Sequence, residues 1–388
     1  MEEQIALRCV LMRGGTSKGL YFHEADLPAP GAPRDRLLKR AMGSPDVMQI
    51  DGLGGSRLVT SKIAIVKRSA RDDADVDYTF AQVDIERDII GYDGNCGNIS
   101  SGVGPFAVDE GLVKAVEPLT RVRIYNTNTQ KVLVAQVSVA RGKARVSGDC
   151  AIAGVPGTGA PILMDYADTI GAKTGRLLPT GNAADSIALE GGGTVPATLC
   201  DAANPCVFVR AGDLGLRGDE TPEALMADEA ALARIFEIQA KAGQLMGFYE
   251  DWRAVSKPAL PLFVAVAPAA AYTDRTGARH EASAADLQAR LLFLGKCHDS
   301  MAGTGAVCTA AASRVPGSIV FDVLTQAARR AHSIRIAHPL GVMEVAVRTS
   351  GGNRSSGGPL FEALGFVRTA RRLMTGQLHV PQTDLAAT

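Results

Sequence analysis

Aromatic residues are scarce in this chain: 5% of positions, with 1 tryptophan. A surface that stacks nucleic-acid bases needs such side chains, so that class of binder is disfavoured at once. A charge excess is missing too. Lys and Arg total 41, Asp and Glu total 41, and no half of the chain is conspicuously basic. The electrostatic footprint of a protein that binds nucleic acid or an anionic membrane surface is absent. There is also no long hydrophobic run. The longest, 259–272, is interrupted by Pro261 and Pro268 and is shorter than the roughly 20 residues a membrane-spanning helix needs. The start, Met1-Glu2-Glu3, has no basic stretch, and Arg8 and Arg13 interrupt the first apolar residues. No export signal is expected.

Paired cysteine motifs are lacking as well. The 7 cysteines (Cys9, Cys96, Cys150, Cys200, Cys206, Cys297 and Cys308) are odd in number and irregular in spacing, with no CxxC. A reduced, cytoplasmic compartment is the simplest expectation. The 6 histidines form no HExxH or other spaced set, so no metal site is expected.

What is present is apolar material and glycine. Hydrophobic residues make up 46%, charged residues 21%, and there are 42 glycines in 388 residues. That length predicts two domains, at roughly 100–200 residues each. Short Val- and Ile-rich runs separated by Gly, Asp, Asn or Pro predict strands at 5–11, 61–66, 76–83, 120–125, 131–139, 206–209, 261–267 and 341–347. Helical periodicity predicts helices at 35–43, 223–247, 284–294 and 318–331. Two further helix-length segments, 96–108 and 303–314, are crowded with Gly, Ala and Ser and nearly free of charge. A helix that is small and apolar all round belongs inside a core. Pro105 would kink or end the first of them. One buried helix per half, each surrounded by strands, predicts an α+β protein with a weak internal duplication. The lobes are expected at 1–185 and 186–370, with a closing segment, 371–388, that would pack back on the first lobe.

Several familiar motifs fail. Gly14-Gly15-Thr16-Ser17-Lys18-Gly19 has neither the spacing nor the residues of a phosphate loop. Its GxSxG match is discounted because a nucleophile elbow leads into a helix, whereas Leu20-Tyr21-Phe22 reads as a strand. Gly52-Leu53-Gly54-Gly55 is no dinucleotide fingerprint.

Three features survive. Asn95-Cys96-Gly97-Asn98 opens the first small-residue helix. Its free N–H groups and partial positive charge suit a carboxylate and would favour the thiolate of Cys96. A small buried cysteine explains Cys96 about as well. Gly303-Thr304-Gly305 opens the other small-residue helix and offers the same donors, although glycine-mediated helix packing is the plainer reading taken alone. Lys62 begins an otherwise apolar strand. A solvated strand end is the ordinary case, but an amine enclosed in a site favours its neutral form and can act as a base.

Met12-Arg13-Gly14-Gly15-Thr16-Ser17-Lys18-Gly19, Gly43-Ser44-Pro45-Asp46, Gln49-Ile50-Asp51-Gly52, Thr60-Ser61-Lys62, Asn95-Cys96-Gly97-Asn98, Pro179-Thr180-Gly181-Asn182 and His338-Pro339 occur in this order. The ordered set, covering nearly the whole chain, resembles the PrpF-like family of 2-methylaconitate cis-trans isomerase, methylitaconate isomerase and 4-oxalomesaconate tautomerase. The resemblance implies a diaminopimelate-epimerase-like fold: two similar lobes, each a curved, mostly antiparallel sheet or barrel wrapped around a central helix. It implies a cofactor-independent isomerase that moves a proton across an allylic system in an unsaturated di- or tricarboxylate.

Lys62 and Cys96 match the family's catalytic pair. Substrate contacts are expected from Thr16, Ser17, Ser61, Asn95, Gly97, Asn98, Thr180, Asn182, His298, Met301, Gly303, Thr304 and Gly305. His298 is equally well explained as an ordinary hydrogen-bonded histidine. Epimerase relatives place a second cysteine where this chain has Ala302. Cys308, about 9 Å further along the helix and turned about 240° around it, cannot replace it. Racemisation by a thiol pair is therefore disfavoured. In the expected reaction, neutral Lys62 removes an allylic proton and the helix-terminal N–H groups hold the dienolate. Lys62 or Cys96 then returns the proton. Left open are which unsaturated acid is the substrate, whether the chain forms a homodimer, and whether it is instead a non-catalytic tricarboxylate-binding accessory protein for an aconitase-like enzyme.

Overall fold

The computed structural model describes residues 3–255, 258–353 and 358–382. The chain divides into two compact units, Met1–Met164 with Arg368–Thr388, and Asp165–Val367. The division comes earlier than the position near 185 expected from sequence. The reason is local: Asp201 Oδ2 accepts hydrogen bonds from the backbone N–H groups of Lys173 and Thr174, and Asp201 N donates to Leu177 O. These bonds tie the segment after 165 to the second unit.

In the first unit, β1 (Gln4–Gly14) and β2 (Ser17–His23) form an antiparallel hairpin with Gly14 opposite Ser17. The two-residue turn needs a left-handed residue, and Gly15 supplies it at φ +52°. β2 runs parallel to β3 (Lys62–Arg68), and β3 pairs antiparallel with β4 (Val76–Val83). β4 is parallel to the strand Leu119–Asn126, which pairs antiparallel with Lys131–Ala140. The closing strand Ala370–Pro381 lies antiparallel to β1, from Gln4 opposite Pro381 to Gly14 opposite Ala370.

α1 (Ala32–Met42) buries Leu37, Leu38, Ala41 and Met42 on one face of this sheet, against Leu20, Phe22, Ile63, Ile65, Ala81 and Val83. α2 (Gly97–Asp109) occupies the other face and is buried from Gly97 to Val108. It does not stop at Pro105 but continues to Asp109. Enclosure by strands outweighs the loss of one backbone donor.

The second unit repeats the scheme. Thr194–Ala202 and Asn204–Arg210 form a hairpin, and the latter runs parallel to Leu262–Pro268. Leu262–Pro268 pairs antiparallel with Leu287–Phe293, which is parallel to Ser333–His338, itself antiparallel to Gly341–Asn353. Helices again fall between the second and third strands, as α3 (Pro222–Ala227) and α4 (Glu229–Leu245), and a fully buried helix, α5 (Gly303–Ala312), again follows the fourth strand. The internal duplication is thus carried by strand order and direction.

Three helix expectations change. The segment 284–294 is mostly the strand Leu287–Phe293. It is buried on both faces, so its leucines show no alternation by which a strand could be read. The helix expected at 223–247 is two, because Asp228 breaks the run and its carboxylate caps α4 at Ala231 N–H, 2.9 Å away. The segment 318–331 likewise splits into Ile319–Val323 and Gln326–Arg330, capped by Ser318 and Thr325.

Candidate active site

The sheet pleat decides where Lys62 points. Ile63 and Ile65 face α1, so alternation turns Lys62 toward the α2 face. Gly19, its neighbour on β2, sits close enough to α2 that an added Cβ would lie 3.2 Å from Ile99. Lys62 therefore stands beside the first turn of α2. The side chain is buried, with 5% of its surface exposed. Its Nζ donates to Gln82 Oε1 at 2.6 Å and lies 5.2 Å from the centre of the Phe80 ring. A solvated strand end is thereby ruled out.

Cys96 is the residue that precedes α2, with an extended backbone, and it is partly exposed. Its carbonyl accepts the first intrahelical bond, from Ser100 N at 2.8 Å. The N–H groups of the following turn have no intrahelical partner, an arrangement whose chemistry suits an anion. Tyr21 closes the same end from below: its hydroxyl donates to Ile99 O at 2.5 Å. Burial pushes the Tyr21 phenol well above its usual range, and the charge of a Cys96 thiolate acts in the same direction. Tyr21 therefore remains a protonated donor.

The β1–β2 turn is bound to this helix end through Asn98. Asn98 Nδ2 donates to Thr16 Oγ1 at 3.0 Å, and its Oδ1 accepts from Arg368 Nε at 3.0 Å and from Thr16 N at 3.4 Å. The Asn98 side chain is thus spent on structure, leaving its backbone N–H for a ligand. Asn95 is used similarly: its Oδ1 accepts from Ser100 Oγ at 2.9 Å and Asn126 Nδ2 at 3.1 Å, fixing the approach to Cys96. Ser17 differs from both. It is only 2% exposed, and its hydroxyl has no hydrogen-bond partner among the described residues. Buried hydroxyls are normally satisfied, so this one calls for a partner from outside the chain.

Ser61, fully buried, accepts from Gln49 Nε2 at 2.7 Å. Gln49 Oε1 is occupied by the N–H groups of Gly55 and Ser56, both at 3.0 Å, so its amide orientation is fixed. Ser61 therefore accepts on this side and keeps its own proton to donate. Thr16, Ser17, Lys62, Asn95, Cys96, Gly97 and Asn98 are brought together around the start of α2, and Ser61 stands next to Lys62 with its hydroxyl on Gln49.

In the second unit, Ala302 precedes α5 as Cys96 precedes α2. Thr304 Oγ1 accepts from Asn204 Nδ2 at 3.1 Å. His298 N bonds Leu291 O at 2.8 Å, and Leu291 packs against Gly305, which places His298, Met301, Gly303, Thr304 and Gly305 at one helix end. His298 Nδ1 accepts from Ser300 N at 3.0 Å, which puts the proton of the neutral ring on Nε2. Met301 is itself buried.

Thr180 and Asn182 stand elsewhere. Both side chains bond Asp185, at 2.8 and 2.7 Å, and the carbonyl of Ala183 accepts from Thr198 Oγ1. Thr198 also receives Ile319 N, beyond the C-terminal end of α5. The Thr-Gly-Asn turn shapes a strand approach and does not join Gly303. Cys308 is buried in the core, with its Sγ 3.3 Å from Cys200 O. Among the described residues no His, Cys, Asp and Glu cluster has the geometry to hold a metal, and no helix is long and apolar enough to cross a membrane.

Four residues of the first-unit site were not singled out from sequence: Gln49, Phe80, Gln82 and Arg368. Only Gln49 lay within a motif; the others reach the site through strand register, for which a single sequence carries no signal.

A profile of the PrpF protein family matches residues 4–381. The chain is 46% identical over 388 residues to 3-methylitaconate isomerase of Eubacterium barkeri, spanning 99% of this chain and 100% of that one. It is 40% identical over 373 residues to 4-oxalomesaconate tautomerase of Pseudomonas putida (strain KT2440), spanning 96% of each. The crystal structure of a methylitaconate-delta-isomerase superposes with a TM-score of 0.81 at 46% identity, covering 100% of this chain and 98% of the other.

Proposed function

The chain belongs to the PrpF family, and from that premise we propose that this isomerase shifts a proton between the ends of an allylic system in an unsaturated di- or tricarboxylate of the methylitaconate type. The observation that carries the reading is the enclosed Lys62 amine beside the first turn of α2, which Cys96 precedes. Lys62 acts as the base that takes the proton from the carbon next to the double bond. The dienolate spreads its charge onto a carboxylate, which the N–H groups of Gly97 and Asn98 and the hydroxyls of Ser17 and Ser61 receive. One such preorganised donor contributes about 3 kcal/mol in a transition state. The proton returns at the far end of the allyl unit from Lys62 or Cys96.

The duplication supports one-sided chemistry. Strand for strand, Lys62 at the start of β3 corresponds to Leu262 at the start of its strand, and Cys96 corresponds to Ala302. The second unit has Leu262 and Ala302 at those positions, so it repeats neither the amine nor the thiol. Methylitaconate is favoured over oxalomesaconate as the substrate type by the higher identity to the isomerase. A non-catalytic accessory role draws no support from these relatives.

The test is an NMR-monitored screen of methylitaconate, methylaconitate, aconitate and oxalomesaconate in deuterated water with the purified protein alone. Deuterium should enter the allylic carbon of at least one acid as its double bond migrates; inertness toward all four would defeat the enzyme reading. Lys62→Ala should abolish this exchange, and exchange near the wild-type rate would remove Lys62 from the role of base. Cys96→Ser should slow turnover if the thiol returns the proton, and full turnover would leave that step to Lys62.

A further inference from the structure

We propose that Gln82 is the positioning residue of this reaction, a neutral clamp that holds the Lys62 amine in line with the substrate without adding charge to it; this rests on the reading of Lys62 as the base. Gln82 lies directly opposite Lys62 in the β3–β4 ladder, so both side chains leave the sheet on the α2 face. It is 4% exposed. Its Nε2 is surrounded by carbonyls: Ser61 O at 3.0 Å, Leu58 O at 3.1 Å and Val83 O at 3.4 Å. Only the amide nitrogen can face them, so Oε1 must face Lys62 Nζ, 2.6 Å away. The amide cannot flip, and one N–H of the amine is committed to it.

The choice of an amide has a chemical consequence. A carboxylate at this distance would favour the ammonium form and silence a base. An amide oxygen accepts the same hydrogen bond with no net charge. It commits one N–H of the amine and so restricts how the nitrogen is turned. Ser61 O links the clamp to the neighbouring donor, since it accepts both Gln82 Nε2 and Val83 N.

Two variants test this. Gln82→Leu keeps bulk and removes the acceptor, and misplacing a reacting group in this way costs about 100-fold in kcat, while KM stays within about threefold because Lys62 need not contribute to ground-state binding. Gln82→Glu keeps an oxygen on Lys62 but adds charge, so the rising limb of the pH–rate profile should move up by about one unit or more. Retention of wild-type kcat in a folded Gln82→Leu, or an unmoved profile in Gln82→Glu, would overturn the proposal. Should the leucine variant fail to fold, the glutamate profile decides alone. Lys62→Ala is measured alongside. If it still exchanges deuterium, the base assignment has failed. If it is inert while both Gln82 variants behave as wild type, the base stands and the clamp falls.

Discussion

At the scale of single residues, Ser17 separates function from stability. A buried hydroxyl without a partner weakens a folded protein, by about 1–3 kcal/mol for groups of this kind. Ser17 has such a hydroxyl, at the end of a turn pinned to α2 by Asn98. Ser17→Ala should therefore leave the melting temperature unchanged or raise it, while kcat/KM falls by about tenfold or more through the lost charge-assisted bond to substrate. Thermal denaturation and steady-state kinetics on the same preparation check both halves. A loss of stability with unchanged activity would assign Ser17 to the scaffold.

At the scale of elements, α2 shows why its residues are small. An added Cβ on Gly102 would lie 2.3 Å from the Tyr21 hydroxyl, the group that bonds Ile99 O. Tyr21 is fully buried and cannot swing aside. Gly102→Ala should cost about 1–3 kcal/mol by overpacking, despite alanine's better helix propensity. Denaturant titration measures it, and a gain in stability would mean that the helix can shift. The same close approach explains how much of α2 was legible beforehand. Its composition announces a buried helix, and Cys96 falls at its start because polar Asn95 and Gly97 flank the change to small apolar residues. The strand Leu287–Phe293 was misread for the complementary reason. Both of its faces are covered, so no alternation survives in its sequence.

At the scale of the whole molecule, pH acts through Asp201, which ties the segment after 165 to the second unit. Burial raises its carboxyl to about 6, against the partial compensation of bonds from Thr174 and Lys173. Its Oδ1 has no partner among the described residues. A carboxyl raised in the folded state binds a proton that the unfolded chain has already lost. The stability it contributes is full below the unfolded value, near 3.8, and is lost as pH rises through about 6. Asp201→Asn cannot titrate, so its melting temperature should fall less than that of wild type between pH 3 and pH 7, an interval that brackets these two values. Parallel pH profiles for the two proteins would count against a raised Asp201.

By itself the sequence determined the family, the α+β class, the two buried small-residue helices, and a lysine and a cysteine in motifs. Each of these is a local pattern, carried by neighbours a few positions apart or by an ordered string of short motifs. Only the tertiary structure decided that Lys62 is enclosed, that Gln82, 20 residues away in the chain, holds its amine, and that Gln49 orients Ser61. It alone aligned Lys62 with Leu262 and Cys96 with Ala302, and it alone separated Thr180 and Asn182 from the start of α5. These are consequences of strand register and pleat. A shift of one residue in pairing would turn every one of those side chains to the opposite face, and no nearest-neighbour pattern in the chain records which register is taken.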